Sequence, residues 1–172
     1  MPTFSRVYLI FSLMLLMACA HDRSTSMRAY QVIFNDPTKL YKVDLNKKEI
    51  EVYCGELHYT SPVDLTASAY DTIDSAFRSN DIASIRGDHF FKTADTKPSV
   101  ISTPMNTVTI LNNGKPVSYI SIDINAKPDA FDDKAAKNAV AFRDVLVGVL
   151  EKNKVVKAAM DSIAHYKGKP LL

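Results

Sequence analysis

The fold of this chain is decided by residues 107–124, which read TVTILNNGKPVSYISIDI. On both sides of Asn113-Gly114, apolar residues alternate with polar ones, which is the two-residue period of a strand with one buried face. Asn-Gly supplies the two positive φ angles of a type I′ turn, whose twist matches that of paired strands. The stretch therefore predicts a β-hairpin with a core face made of Val108, Ile110, Ile120, Ile122 and Ile124.

Two further β segments precede this hairpin in the chain. Residues 29–34 are rich in β-branched and aromatic side chains and end at Asn35-Asp36-Pro37, which indicates a strand followed by a turn. Residues 40–45 and 49–53 both alternate in polarity, and a turn-like segment separates them. They predict a second hairpin with one dry face and one wet face, and the wet face carries Lys42, Asp44, Glu49 and Glu51.

Two stretches have the apolar spacing of helices. Between Thr66 and Ser79, apolar residues recur at steps of three and four, which predicts an amphipathic helix. A longer apolar stripe follows Asp132-Asp133, whose negative charges suit the start of a helix. It runs to Leu150 and continues to Ile163, either as a second helix or as a bent extension of the first.

The stretch from Asp88 to Asn106 shows neither the two-residue alternation of a strand nor the three- and four-residue apolar spacing of a helix. It holds Phe90-Phe91, a polar run, Pro98 and Pro104. We predict a long surface loop that the two phenylalanines pin to the domain. Loops of this length are uncommon without a functional role.

Together these elements predict an α+β domain over residues 29–172. Consecutive hairpins form an antiparallel sheet, and the amphipathic helices must bury their apolar stripes against one face of it. We expect a two-layer fold, with a sheet of two hairpins plus an extra strand covered by two or three helices.

The composition is that of an ordinary globular protein. The chain has 172 residues, with 21 Lys and Arg against 19 Asp and Glu, and a formal net charge of +2. This near-balance provides no basic surface for nucleic acid, so we expect no nucleic-acid partner. The hydrophobic content of 47% excludes a disordered chain.

The first 19 residues predict an address in the cell envelope. Arg6 precedes the apolar run 7–17, and this order is typical of a secretory signal peptide. The run is too short for a membrane-spanning helix, which needs about 20 residues. Leu16-Met17-Ala18-Cys19 resembles the lipobox of bacterial lipoproteins. The resemblance implies cleavage after Ala18 and acylation of Cys19, with palmitate or a similar fatty acid. The alternative is a plain signal peptide with an incidental cysteine.

The lipobox implies a three-part organisation. Residues 1–18 are the signal peptide, and residues 19–28 are a lipidated tether, polar and aperiodic from His21 onwards. Three acyl chains would anchor the domain stably in a membrane. In a Gram-negative cell the residue after the cysteine, Ala20, would direct the protein to the periplasmic face of the outer membrane.

The domain itself resembles a family of bacterial lipoprotein domains built as ββ-α-ββ-α and without an established activity. The resemblance rests on Leu40-Tyr41-Lys42-Val43-Asp44-Leu45, residues 47–55 (KKEIEVYCG), the 66–85 helix and the 107–124 hairpin. It implies a fold and a cellular location, and it adds no chemistry.

The chain lacks the sequence motifs of common catalytic and metal sites. It contains no G-x-S-x-G, no S-x-x-K, no phosphate-binding loop and no histidine spacing of a metal site, so we predict no cofactor, no metal site and no catalytic residues. The most suggestive pair is Asp88-His89, which is either an acid–base pair that contacts a ligand or partner, or a polar turn before the two phenylalanines. Cys54 is either a buried small apolar residue or a reactive thiol.

These observations favour a non-enzymatic protein that binds another envelope protein or a wall component. One version is an immunity or inhibitor protein against a wall-targeting toxin. An alternative is a hydrolase that uses the 88–106 loop with Asp88 or His89. A third hypothesis is an assembly role, in which an exposed edge of the sheet pairs with another strand.

Overall fold

The computed structural model of the chain describes residues 26–93 and 104–168. Its strands are β1 Gln31–Asp36, β2 Tyr41–Asp44, β3 Glu49–Cys54, β4 Leu57–Pro62, β5 Gly87–Phe91, β6 Met105–Asn112 and β7 Lys115–Asp123. Its helices are α1 Ala67–Ser79, α2 Lys134–Leu150 and α3 Lys154–Lys167, and short 3-10 turns lie at Met27–Ala29, Ile82–Ser84 and Pro128–Ala130. The predicted lipobox with Cys19 lies outside the described residues.

The strands form one open mixed sheet in the order β4-β3-β2-β1-β6-β7-β5. Neighbouring strands are antiparallel except β5, which runs parallel to β7. The predicted α+β class is therefore confirmed, and the sheet is larger than predicted because β4 and β5 extend it at its two edges.

The predicted hairpin over residues 107–124 joins β6 to β7. Asn113 and Gly114 have φ angles of 51° and 75°, which is the backbone that a type I′ turn requires. Val108 lies opposite Ile120 in the register, and both are buried. A register shift at Ile110/Leu111 interrupts the alternation near the turn.

The prediction of a continuous loop from Asp88 to Asn106 is wrong at both ends. Asp88–Phe91 belongs to β5, and Met105-Asn106 opens β6, while residues 94–103 lie outside the described residues. The sequence gives little sign of β5, because a five-residue parallel edge strand has a long-range partner and no clean alternation.

Each central strand buries alternate residues. In β1, Val32, Phe34 and Asp36 are buried, whereas the residues between them are half-buried. Helices complete the core, and the rings of Phe77 in α1 and Phe142 in α2 meet edge to face with 5.7 Å between their centroids. We use the term second face for the strand residues that alternate with the core residues.

The fold begins earlier than the predicted boundary at residue 29. Met27 is 0% exposed, and its backbone N–H donates to Asp74 Oδ1 at 2.7 Å. Ser26 Oγ donates to the same oxygen at 2.9 Å, and Arg28 pairs with Asp71 at 3.2 Å. The end of the predicted tether is thus held to α1, and Asp74 is a buried anchor point rather than part of a solvated helix face.

Within residues 26–93 and 104–168, none of the helices combines the length and the apolar character that crossing a bilayer requires.

Candidate functional site

Asp88 and His89, the residues singled out from the sequence, lie on the edge strand β5. In the register Asp88 lies opposite Tyr119 and His89 opposite Ile120. Since successive side chains of a strand point to opposite faces, Asp88 is on the second face and His89 is on the core face. The structure therefore does not bring the two side chains together as an acid–base pair.

His89 has contacts that account for its position. Its Nε2 lies 2.8 Å from the backbone oxygen of Arg86. Its ring stacks on that of Phe91 with 5.6 Å between centroids, and Phe91 in turn meets Phe131 at 6.3 Å. His89 thus belongs to a small aromatic cluster that fastens β5 to the segment before α2.

The second face of the sheet divides into two halves. The charged half lies on β2, β3 and β4, where Lys42 and His58 both pair with Glu51, with His58 Nε2 at 3.1 Å from the carboxylate. Hydrogen bonds from these two partners lower the pKa of Glu51. Gln31 Nε2 donates to Asp44 Oδ2 at 2.6 Å. These five side chains of the charged half therefore pair with one another.

The aromatic half lies on β5, β6 and β7. Phe90 is 63% exposed and Tyr119 is 40% exposed, and their ring centroids are 6.4 Å apart. Thr109 lies opposite Tyr119, and Thr107 lies opposite Ser121. Two neighbouring aromatic rings are therefore exposed at the edge of a face made largely of uncharged residues, and aromatic residues are enriched at protein–protein interfaces.

The aromatic half ends at an unpaired strand edge. Among residues 26–93 and 104–168, β5 pairs on one side, with β7, and lies at the end of the sheet. The backbone donors and acceptors on its other side form a template for a further strand. The exposed ring of Phe90 and the unpaired backbone edge of the sheet therefore lie on the same five-residue strand, β5.

Arg143 supports the aromatic half from the core side, and sequence reasoning missed it. Its guanidinium is buried and donates to the backbone oxygens of Asp123 at 2.9 Å, Ile124 at 3.4 Å and Ala126 at 2.6 Å. These bonds hold the end of β7 against α2. The sequence carries a sign of this role, because Arg143 is a cation that lies four residues after Ala139 on the apolar stripe that predicts α2. A charged residue in such a position is buried only when it is paired or hydrogen-bonded.

Cys54 follows the simpler of its two predicted alternatives. It is buried on the core face of β3 as a free thiol. Over the part of the chain that the structure describes, no group of three or more His, Cys, Asp or Glu side chains is arranged to hold a metal ion.

Comparison with known proteins identifies no relative of this chain. No family model matches the chain, and neither curated proteins nor solved structures give a match to it.

Proposed function

We propose that this chain is a membrane-anchored envelope lipoprotein without enzymatic activity, whose folded domain binds another envelope protein. In this proposal the domain has two layers, because the helices cover the core face of the sheet and leave the second face to the partner. The observation that carries the proposal is a pair of neighbouring exposed rings, those of Phe90 and Tyr119, beside an unpaired strand edge.

An extended segment of polypeptide is the occupant that fits β5. The unpaired backbone N–H and C=O groups of β5, a strand that rises about 3.3 Å per residue, would be satisfied by another strand, and main-chain hydrogen bonds would then provide affinity. A side chain of that strand on the second face would cover the ring of Phe90. A wall glycan has no matching row of donors and acceptors, so the geometry favours a protein.

The lipobox limits where this partner is found. Cys19 and Met27 are eight residues apart, and eight residues span at most about 29 Å when fully extended. Because Met27 is already part of the core, a lipid on Cys19 would hold the domain beside the membrane surface. We therefore place the partner in the cell envelope, next to that membrane, which in a Gram-negative cell is the outer membrane at its periplasmic face.

Affinity capture from detergent-solubilised envelopes tests this function. The bait is the full chain, compared with the double variant Phe90→Ser/Tyr119→Ser on the aromatic half and the matched control Lys42→Ser/Thr60→Ser on the charged half. We expect the wild type and the control to retain one protein that the aromatic variant loses, because buried aromatic anchors dominate interface energies.

Two results would contradict the proposal. One is equal capture by the two double variants, which would separate the partner from the aromatic half. The other is recovery of the chain, with an unmodified Cys19 by mass spectrometry, from the soluble fraction of broken cells, which would remove the anchor. A Cys19→Ser variant provides the reference for a chain that has no lipid.

A further inference from the structure

The edge strand β5 and the residue after it carry opposite charges on either side of an aromatic ring. Asp88 and Phe90 are two residues apart on the second face, and Lys92 follows directly after the strand at the same two-residue step. All three side chains are exposed. Along the last strand of the sheet, the row therefore has the order acid, aromatic ring, base.

The two charges of this row have no partner within their own copy of the domain. Over residues 26–93 and 104–168, neither Asp88 nor Lys92 takes part in an ion pair or a side-chain hydrogen bond. Tyr119, which lies opposite Asp88 on β7, is uncharged. In the charged half, by contrast, Glu51 is paired with Lys42. The described part of the aromatic half thus presents an uncompensated acid and an uncompensated base at its edge.

The order of these charges is complementary to itself when the strand is reversed. If two copies of β5 run antiparallel with their Phe90 residues opposite each other, Asp88 of each copy lies opposite Lys92 of the other. Directly opposite residues have Cβ atoms about 4.5–5.5 Å apart, and opposite charges in such positions stabilise the pairing. A twofold axis between the Phe90 residues then relates the copies, so the contact is closed and joins only two chains.

Other registers of the same pairing lose these contacts. Centring the pairing one residue earlier places Asp88 opposite Phe90, and centring it one residue later places Lys92 opposite Phe90. Centring it on Asp88 or on Lys92 places like charges opposite each other, which is destabilising. Arg86 does not continue the row, because the φ angle of 84° at Gly87 interrupts the extended backbone between them. Charge therefore selects Phe90 as the centre.

We propose that β5 pairs antiparallel with β5 of a second copy of this chain, centred on Phe90, while no envelope partner is bound. The pairing rests on the proposed function, because it occupies the same strand edge, and the envelope partner binds by displacing the second copy. It joins two seven-stranded sheets into one and leaves neither copy with an exposed β5 edge. Lipid anchors on Cys19 confine both copies to one membrane surface, and this raised effective concentration favours even a short contact.

Charge reversal in the purified full chain tests this pairing. Sedimentation equilibrium in density-matched detergent gives the dimer dissociation constants of the wild type, Asp88→Lys, Lys92→Asp and Asp88→Lys/Lys92→Asp. By symmetry, each single reversal turns two attractive pairs into two repulsive ones, so we expect it to weaken the dimer about tenfold. The double variant restores both pairs with exchanged signs and should be within about threefold of the wild type. Lys137→Asp, the same change at an exposed position of α2, should leave the constant unchanged.

A mixture of the two single variants provides a second measurement. Asp88→Lys has two cations in the row and Lys92→Asp has two anions, so only their mixed dimer contains attractive pairs. We expect the mixed dimer to be at least about tenfold tighter than either variant alone.

Three results would overturn the pairing. They are a wild type that stays monomeric up to about 100 μM, a dimer that the single reversals leave unchanged, and a double variant or mixture that does not recover the dimer. Because these measurements contain no envelope partner, their failure does not affect the capture experiment, and a failed capture does not affect them.

Discussion

The charged half and the aromatic half of the second face belong to one sheet, yet they meet solvent in opposite ways. In the charged half Glu51 is shared by Lys42 and His58, and Asp44 accepts from Gln31. In the aromatic half the ring centroids of Phe90 and Tyr119 lie 6.4 Å apart, and the two side chains remain 63% and 40% exposed. The named charged groups of the first half are paired within the sheet, whereas the second half leaves apolar area in water.

The two strand edges repeat this difference. The charged half ends at β4, a polar strand that closes with Pro62 and is contacted by α3, and these features discourage a further strand. The aromatic half ends at β5, which carries Phe90 and ends in Phe91 rather than a proline. An exposed area is therefore a candidate contact surface where the surrounding side chains leave apolar groups in water, as they do around Phe90.

The largest effect should come from removing the support beneath the aromatic half. Arg143→Met leaves the backbone oxygens of Asp123 and Ala126 without their buried donor, and we expect the free energy of unfolding to fall by about 3 kcal/mol. Lys42→Met in the charged half should change it by less than about 1 kcal/mol. Urea unfolding of both variants measures this, and similar losses would show that Arg143 does not support β7 as described.

A smaller effect should follow from giving the aromatic half the chemistry of the charged half. Thr109 and Tyr119 are directly opposite in the register, so Thr109→Glu/Tyr119→Lys installs a cross-strand ion pair. We expect the unfolding free energy to stay within about 1 kcal/mol of the wild type, while capture of the envelope partner is lost. Thermal unfolding and affinity capture check the two parts. A variant that still captures the partner would contradict the assignment of the aromatic half as the contact surface.

The smallest effect concerns acid sensitivity of the charged half. Its partners lower the pKa of Glu51 below the ordinary 4.5, so the folded state binds this proton less readily than the unfolded state does. The resulting stability is present above about pH 4.5 and is lost as the pH falls through the lowered pKa. Glu51→Gln should therefore be less stable than the wild type at pH 7 by under about 1 kcal/mol and should match it at low pH. A gap that persists under strong acid would contradict this account.

Local pattern was enough to predict much of this fold. The Asn113-Gly114 hairpin, the wet face with Lys42 and Glu51, and the helices at 67–79 and 134–150 all follow from signals between near neighbours in the chain. The apolar stripe after Leu150 left open a separate helix or a bent extension, and the structure has a separate helix there. Asp133 caps α2 as its charge suggested, and its side chain accepts from the backbone N–H of Ala136.

The missed features depend on distant neighbours. β5 forms only because Gly87–Phe91 meets β7 about thirty residues later, and no local period indicates that pairing. The same pairing sends Asp88 and His89 to opposite faces, so a sequence-adjacent pair does not become a spatial pair. Asn106 and Arg143 are 37 residues apart, and their side chains meet only after folding.

Site-specific photo-cross-linking in intact envelopes tests the docking surface most directly. A photoreactive phenylalanine analogue replaces Phe90 on β5 or, in the matched control, Thr60 on β4, which is also an exposed second-face residue of an edge strand. We predict an adduct from position 90 whose cross-linked peptide maps to one extended segment of one envelope protein, and none from position 60. Equal adducts at both positions, or none at position 90, would contradict the assignment of the aromatic half as the binding surface.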